Sequence, residues 1–408
     1  MVVNTKECQF FLDYLELKMY FCVANRDVIM NALHFGAGKI GRGFIGALLR
    51  QCGYALTFVD AQREVVDAIN HHGGYSVHIV GDTQMVERIE GVTALLSGSE
   101  DVLERFVEAD VVTTAVSMNR LGDVAEVVAR GLEKRATEGV IKPLNIICCE
   151  NGIRATSQLR ALVAEIVDLS LVGQGVGFVD CCVDRIVPNV KMDRLLDVAV
   201  EPYFEWCVDR KAVVGELPNM PATHFADDID GYIFRKLFTL NTAHCTTAYL
   251  GALKGYQFIH QAIIDEGVRS IVEGVMGECS RMVVKRYGFA PDEQRAYCCK
   301  VLERFANPHL GDTVRRVAGD PIRKLSPKLY FSTPISTLLQ LGEPISYLTM
   351  AVAAALHFRS IDDVQSMQLA EMVAKDGVER SVREICKIDD DAVISQIAEH
   401  YQRINDIF

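Results

Sequence analysis

The chain has 408 residues, of which 50% are hydrophobic and 24% charged, a size and composition suited to two soluble globular domains and unlike a disordered or fibrous chain. No apolar run approaches the ~18 residues of a membrane span. The formal net charge of −12 disfavours nucleic acid, which is bound through clustered Lys and Arg, so the expected partner is a small molecule, with neither nucleic acid nor membrane involved. The thirteen cysteines are odd in number, include the adjacent pairs Cys148-Cys149, Cys181-Cys182 and Cys298-Cys299, and form no C-x-x-C. That is neither a disulfide framework nor a zinc spacing. They read as small buried hydrophobes in a reducing cytoplasm, and the protein is expected to be cytoplasmic and monomeric.

Residues 1–29 mix apolar and aromatic residues with Glu7, Asp13 and Glu16, and they lack the basic start and clean apolar run of a secretory signal. The stretch is either an extension or sequence upstream of the true start. Asn31 to Phe35 reads as a short apolar strand, Ile40 to Cys52 as a helix, and Ala55 to Val59 as a second strand. Apolar runs at Val111 to Val116 and Leu144 to Cys149, separated by a helical stretch from Leu121 to Arg135, continue the alternation. Such alternation predicts an α/β domain with a parallel, doubly wound sheet. Shorter strands are expected at Ser76 to Val80 and Met85 to Glu90. Beyond about residue 200 the pattern turns to a period of 3.6, at Asp230 to Leu253, Tyr256 to Tyr287, Asp292 to Phe305, Ile345 to His357, Asp363 to Ala374 and Asp390 to Ile404. The expected organisation is therefore a Rossmann-like nucleotide-binding domain over 30–200 and a mostly α-helical substrate and catalytic domain over 201–408.

Between the first strand and its helix stands Phe35-Gly36-Ala37-Gly38-Lys39-Ile40-Gly41. Its G-x-G-x-x-G spacing allows a tight turn, close approach of a pyrophosphate and close packing of helix on sheet. Asp60 ends the second strand, where a carboxylate holds a ribose diol. Against the extra phosphate of NADP it would cost about 4 kcal/mol for each pair of unit charges ~4 Å apart at an effective dielectric of ~20, so the expected cofactor is NAD.

Removing a hydroxyl proton during hydride transfer calls for a base and orienting groups. Lys236, Asn241 and His244 share one broad sector of a helix, with Asn241 about 140° and His244 about 80° from Lys236 at ~100° per residue. Taken singly, Lys236 reads as a surface lysine, His244 as a core histidine, Asn151 as a turn or cap, and Asp184-Arg185 as a structural ion pair. Together, three polar groups on an otherwise apolar helix point to a polar cleft.

Lys-x4-Asn-x2-His resembles the signature of the polyol-specific long-chain dehydrogenases, the mannitol dehydrogenase family. The resemblance runs from Met30 onward through HFGAGKIGRGFIG, PLNIICCENGIR, GFVDCCVDRIVP, RKLFTLNTAH, VVKRYGF and PIRKLS, and is nearest to the branch that uses polyol phosphates. It implies a Rossmann domain followed by a helical domain and reversible oxidation of mannitol 1-phosphate without a catalytic metal. It also implies Lys236 as base, Asn241 and His244 holding base and substrate oxygens, Asn151 at the reacting oxygen, and Asp184 and Arg185 near the substrate. Arg323 and Lys324 of the last block would offer a guanidinium fork and a point charge to a phosphate dianion. One departure is Ser117, where the family pattern calls for Gly. The competing readings are a dehydrogenase of a free polyol or sugar acid, and a non-catalytic NAD-sensing protein.

Overall fold

The computed structural model describes residues 29–81, 84–188, 190–215, 217 and 223–404; the expectations for residues 1–28 lie outside these. The chain forms two compact units that divide between Ile229 and Asp230.

In the first unit, six parallel strands stand in the order β5-β2-β1-β6-β7-β8, where β1 is Asn31–Phe35, β2 Ala55–Asp60, β5 Val92–Leu96, β6 Val111–Thr114, β7 Leu144–Cys148 and β8 Val176–Phe178. Their near-continuous apolar sequences follow from burial on both faces. Successive residues go to opposite cores: Ala32, Leu56 and Ile147 pack with Phe44, Leu48 and Tyr75 on one side, and Leu33, Phe35 and Ile146 with Phe106, Val128 and Leu159 on the other. The chain leaves β1 where its neighbours diverge to β2 and β6, the switch point at which open α/β sheets bind ligands. Two three-stranded sheets complete the unit. In one, β3 (Gly74–Ile79) lies between β4 (Met85–Glu90) and β10 (Val198–Val200); in the other, β11 (Glu205–Asp209) lies between β9 (Cys181–Asp184) and β12 (Thr223–Ala226). Because β11 and β12 pair back to β9, the unit closes at Ile229, later than the boundary near residue 200 expected from the change of periodicity.

The second unit is helical. Its axis is Thr242–Leu253, which packs against Ile259–Ile264, Glu266–Tyr287, Val314–Ala318 and Ser346–His357 and buries nearly every side chain. A helix apolar all round is stable only in such surroundings. The expected run from Tyr256 to Tyr287 is broken at Asp265, whose Oδ1 accepts the Val268 N–H at 3.0 Å and so starts a new helix. Short helices at Val314–Ala318, Pro321–Leu325, Ser332–Gln340 and Val378–Cys386 were not among those expected. No helix of the described residues is long and apolar enough to cross a membrane.

Candidate active site

The nucleotide side is built by backbone. Gly36 has φ +98°, and a Cβ there would stand 2.5 Å from the Ala115 carbonyl oxygen. A Cβ on Gly41 would fall 1.9 Å from the Gly36 oxygen, whereas Gly38 faces open space. These are the turn, the packing contact and the free approach that a pyrophosphate requires. After Gly41 the helix runs as a π turn, Gly41–Gly46, before becoming α at Ala47–Gln51. Asp60 Oδ2 accepts the Ala37 N–H at 2.7 Å and its Oδ1 the Gln62 N–H at 2.8 Å, which fixes the acid against the glycine loop. A cavity of about 440 Å³ lies beside it, lined among others by Gly36, Gly38, Asp60, Ser97, Val116 and Val124. The residues present fit a dinucleotide. Phe35 is buried in the sheet, while Lys39 and Ile40 stand at the helix start, with the Lys39 Nζ 3.3 Å from the Val190 carbonyl.

Beneath the loop, His34 is fully buried with Nδ1 2.6 Å from Thr113 Oγ1, and burial pushes its pKa down to about 3. It is therefore a neutral packing group and not a proton carrier. Arg42, also buried, donates from Nε to the Leu196 carbonyl at 2.8 Å and from its fork to Ala37 and Leu195, latching the loop to the chain before β10. Glu150 accepts from Thr114 Oγ1 at 2.7 Å and from the Val116 N–H at 2.9 Å. Burial raises its pKa against these bonds. Glu150 thus ties the turn after β7, where Asn151 is exposed, to the loop after β6. In that loop Ser117 has φ +95° and ψ 152°, a conformation that essentially only Gly adopts without strain, which is the physical content of the family's Gly.

Asp184 is buried at the end of β9. Arg185 donates to the carbonyls of Glu201 at 3.1 Å and Gly43 at 3.2 Å and lies over the rings of Phe44 and Phe204. Its guanidinium holds the π turn of the nucleotide helix, a different task from the substrate contact expected of it.

In the helical unit the observation that decides is one of exposure. From Leu237 to Leu250 every residue is buried except Asn241 and His244, and Lys236 just before them is likewise half-open. Lys236–Asn241 forms a π turn, so its i→i+5 repeat carries Asn241 nearly back over Lys236. That corrects the 140° separation expected of a regular helix. His244 follows at i+3 on the same face. Its ring stacks on Phe305, with centroids 4.7 Å apart and an angle of 19°, and its Nε2 is 2.9 Å from Asp312 Oδ2. Asp312 Oδ1 in turn receives Nε and Nη2 of Arg316 at 2.9 and 2.6 Å. Burial would raise the Asp312 carboxyl, but His244 and Arg316 together hold it below its ordinary value.

The buried Tyr330 hydroxyl is approached by both Arg323 and Asn241, which oppose the rise in pKa that burial imposes; this brings Arg323 next to the segment that bears Asn241. Lys324 is turned inward, its ammonium donating to the carbonyls of Val317 at 2.6 Å and of Gly319, and burial lowers its pKa. The basic pair expected at a phosphate is thereby reduced to Arg323. Asp312, Arg316 and Tyr330 were not foreseen. The i,i+4 pairing of Asp312 with Arg316 was visible in the sequence, but its meeting with His244 was not. Among the described residues no group of three or more His, Cys, Asp or Glu is placed to hold a metal ion.

Two family models match, the mannitol dehydrogenase Rossmann domain over residues 30–222 and the mannitol dehydrogenase C-terminal domain over residues 228–405. The chain belongs to the mannitol dehydrogenase family. Among solved structures it is similar to Pseudomonas fluorescens mannitol 2-dehydrogenase, in a ternary complex with NAD and D-mannitol, at 19% identity and a TM-score of 0.74, covering 93% of this chain and 92% of that one. It is similar also to a substrate-free D-sorbitol dehydrogenase, at 16% identity and a TM-score of 0.78, covering 93% of each chain. At these identities the likeness is one of fold, and the mannitol dehydrogenase fold accounts for both units.

Proposed function

We propose that this protein is an NAD-dependent polyol-phosphate dehydrogenase, of the mannitol-1-phosphate 5-dehydrogenase type, interconverting D-mannitol 1-phosphate and D-fructose 6-phosphate. The observation that carries a dehydrogenase is the isolation of Lys236, Asn241 and His244 on the open face of a buried helix. NAD, when bound, supplies the acceptor for the hydride. Gly36, Gly38 and Gly41 give the dinucleotide its cradle, and Asp60 meets the ribose diol and disfavours NADP. Lys236 takes the hydroxyl proton as the carbonyl forms, while Asn241 and His244 hold the neighbouring oxygens. Asn151, by resemblance, meets the reacting oxygen. A lysine acts as base only when neutral, so oxidation of the polyol rises with pH and reduction of the ketose is favoured at lower pH.

Support for a phosphorylated substrate is the approach of Arg323 and Asn241 to one hydroxyl, that of Tyr330, which puts a guanidinium one side chain from the catalytic helix. Because Lys324 is occupied by carbonyls, a free polyol is the reading that competes. NADH formation with D-mannitol 1-phosphate, D-mannitol, D-sorbitol and a hexonate separates them. The phosphate ester should be the strongly preferred substrate, and Arg323→Ala should raise its KM while leaving that of mannitol unchanged. An equal effect on both removes the phosphate role. Turnover should survive exhaustive chelation; activity lost to a chelator and restored by zinc sinks the metal-free mechanism, and preference for NADP sinks the cofactor assignment.

A further inference from the structure

His244 reaches the open face of its helix with one ring nitrogen already committed. Nε2 is buried 2.9 Å from Asp312 Oδ2, and neither atom has another hydrogen-bond partner among the described residues. The other oxygen of that carboxylate is held by two nitrogens of Arg316, and the Asp312 main-chain carbonyl accepts the Ile259 N–H at 2.9 Å. Phe305 lies flat against the imidazole, which removes the remaining freedom of ring rotation. A carboxylate fixed in this way accepts but does not donate, so the proton of a neutral imidazole belongs on Nε2. Nδ1 is then the nitrogen with a lone pair to offer. A histidine serving only the core would have both nitrogens turned inward, as His34 has. His244 instead sits three residues from Asn241, about 60° around the helix, on its one open face.

We propose that Asp312 is a positioning residue for the reaction, holding His244 as the Nε2–H tautomer so that Nδ1 accepts a hydrogen bond from a substrate hydroxyl. The inference rests on the polyol-dehydrogenase reading for its substrate, though not for its tautomer. Arg316 completes the arrangement by keeping the carboxylate charged and in place. Without Asp312 the imidazole is free to hold its proton on Nδ1, where it would offer a donor in place of an acceptor. The same logic orients a histidine in hydrolytic triads and in metal sites, where loss of the outer partner costs activity without removing any group that touches substrate.

The test joins kinetics to a direct reading of the ring. In the full-length protein with 15N-labelled histidine, the His244 resonances at alkaline pH, assigned by their absence from His244→Asn, should show the Nε2–H form. Asp312→Asn should shift that population toward Nδ1–H and lower kcat for the polyol about 10- to 100-fold, the scale typical of such outer partners, with the Kd for NAD unchanged. Asp312→Glu should recover part of the rate. If Asp312→Asn does not fold, Arg316→Gln should show the same changes in reduced size. A wild-type ring protonated on Nδ1 overturns the proposal, as does a wild-type kcat in folded Asp312→Asn. A wild-type enzyme inactive on every polyol would instead defeat the functional reading, leaving the tautomer measurement to decide for Asp312.

Discussion

Both units set their candidate chemistry at or beside a π turn, Gly41–Gly46 in one and Lys236–Asn241 in the other, and they use it in opposite ways. The nucleotide turn contributes main chain: what matters there is the side chains that are missing, at Gly36, Gly38 and Gly41, and one acid beyond them. The turn at Lys236–Asn241, with His244 just beyond it, contributes side chains, three polar groups brought to one face while everything between them is buried. A site made of backbone depends on local shape and tolerates almost no added atom; a site made of side chains depends on functional groups and on the packing that aims them.

The contrast is sharpest where the chemistry is removed outright. Lys236→Ala should lower kcat by about 10³- to 10⁴-fold, within the upper range for a general base, with Tm and NAD binding preserved; small primary amines should restore part of the rate. The same kcat in Lys236→Ala as in the wild type would break the assignment, and a comparable loss confined to His244→Ala would transfer the role to the histidine. On the nucleotide side the glycines should separate from one another. Gly41→Ala drives a methyl group into the Gly36 carbonyl and should lower stability by about 3 kcal/mol or more, given that backbone has no rotamer to yield, abolishing NAD binding with it. Gly38→Ala meets nothing in the protein. It should melt like the wild type and still bind NAD more weakly, seen by calorimetry.

Smaller effects test the strain and the caps. Ser117→Gly relieves a backbone conformation worth roughly 1–3 kcal/mol and gives back some chain entropy, so a gain of about 1 kcal/mol in urea unfolding is expected; a loss would mean that the serine side chain is needed where it stands. Asp265 is held down to a pKa of about 2, first by its hydrogen bond with Lys254 and then by the Val268 N–H. A depressed acid stabilises the fold above its unfolded pKa and ceases to do so as pH falls through its folded one. Asp265→Asn should therefore be less stable than the wild type by about 1 kcal/mol near neutrality, the two converging between about pH 4 and pH 2.

These differences also explain which parts of the molecule were legible in the sequence. The strands from Asn31, Ala55, Val111 and Leu144 were read from apolar runs because burial on both faces leaves no other composition, and the glycine loop from its spacing because its contacts are local. The helix bearing Lys236 was legible as an apolar period, but its phase was not, since nothing in Leu237-Phe238-Thr239-Leu240 announces an extra residue in the turn. Arg185 and Lys324 carry charge, and the sequence gives no sign that Gly43 and Glu201, or Val317 and Gly319, would claim it. Asp312 and Tyr330 reach the segment that bears Lys236, Asn241 and His244 only through tertiary packing. Likewise the boundary near residue 200 followed from periodicity, whereas the pairing of β11 with β9 that moved it is a long-range fact.

The π turn at Lys236–Asn241 has one further consequence, for how this segment can change in evolution. A π turn accommodates a residue that an α turn would not, so the helix reads as an α-helix carrying a single insertion. Deleting one residue, such as Leu240, would let it close as a regular helix and could even strengthen its hydrogen bonding. Lys236 would then stand four residues from Asn241 and seven from His244, about 40° and about 20° around a regular helix at ~100° per residue, so the three groups would still share one face. The extra residue is taken up by the wider turn, and the constellation is kept with or without it. What this segment tolerates is therefore a change of one residue in length, provided that the turn closes around it: a chain with one residue fewer between the lysine and the asparagine keeps the three groups on one face.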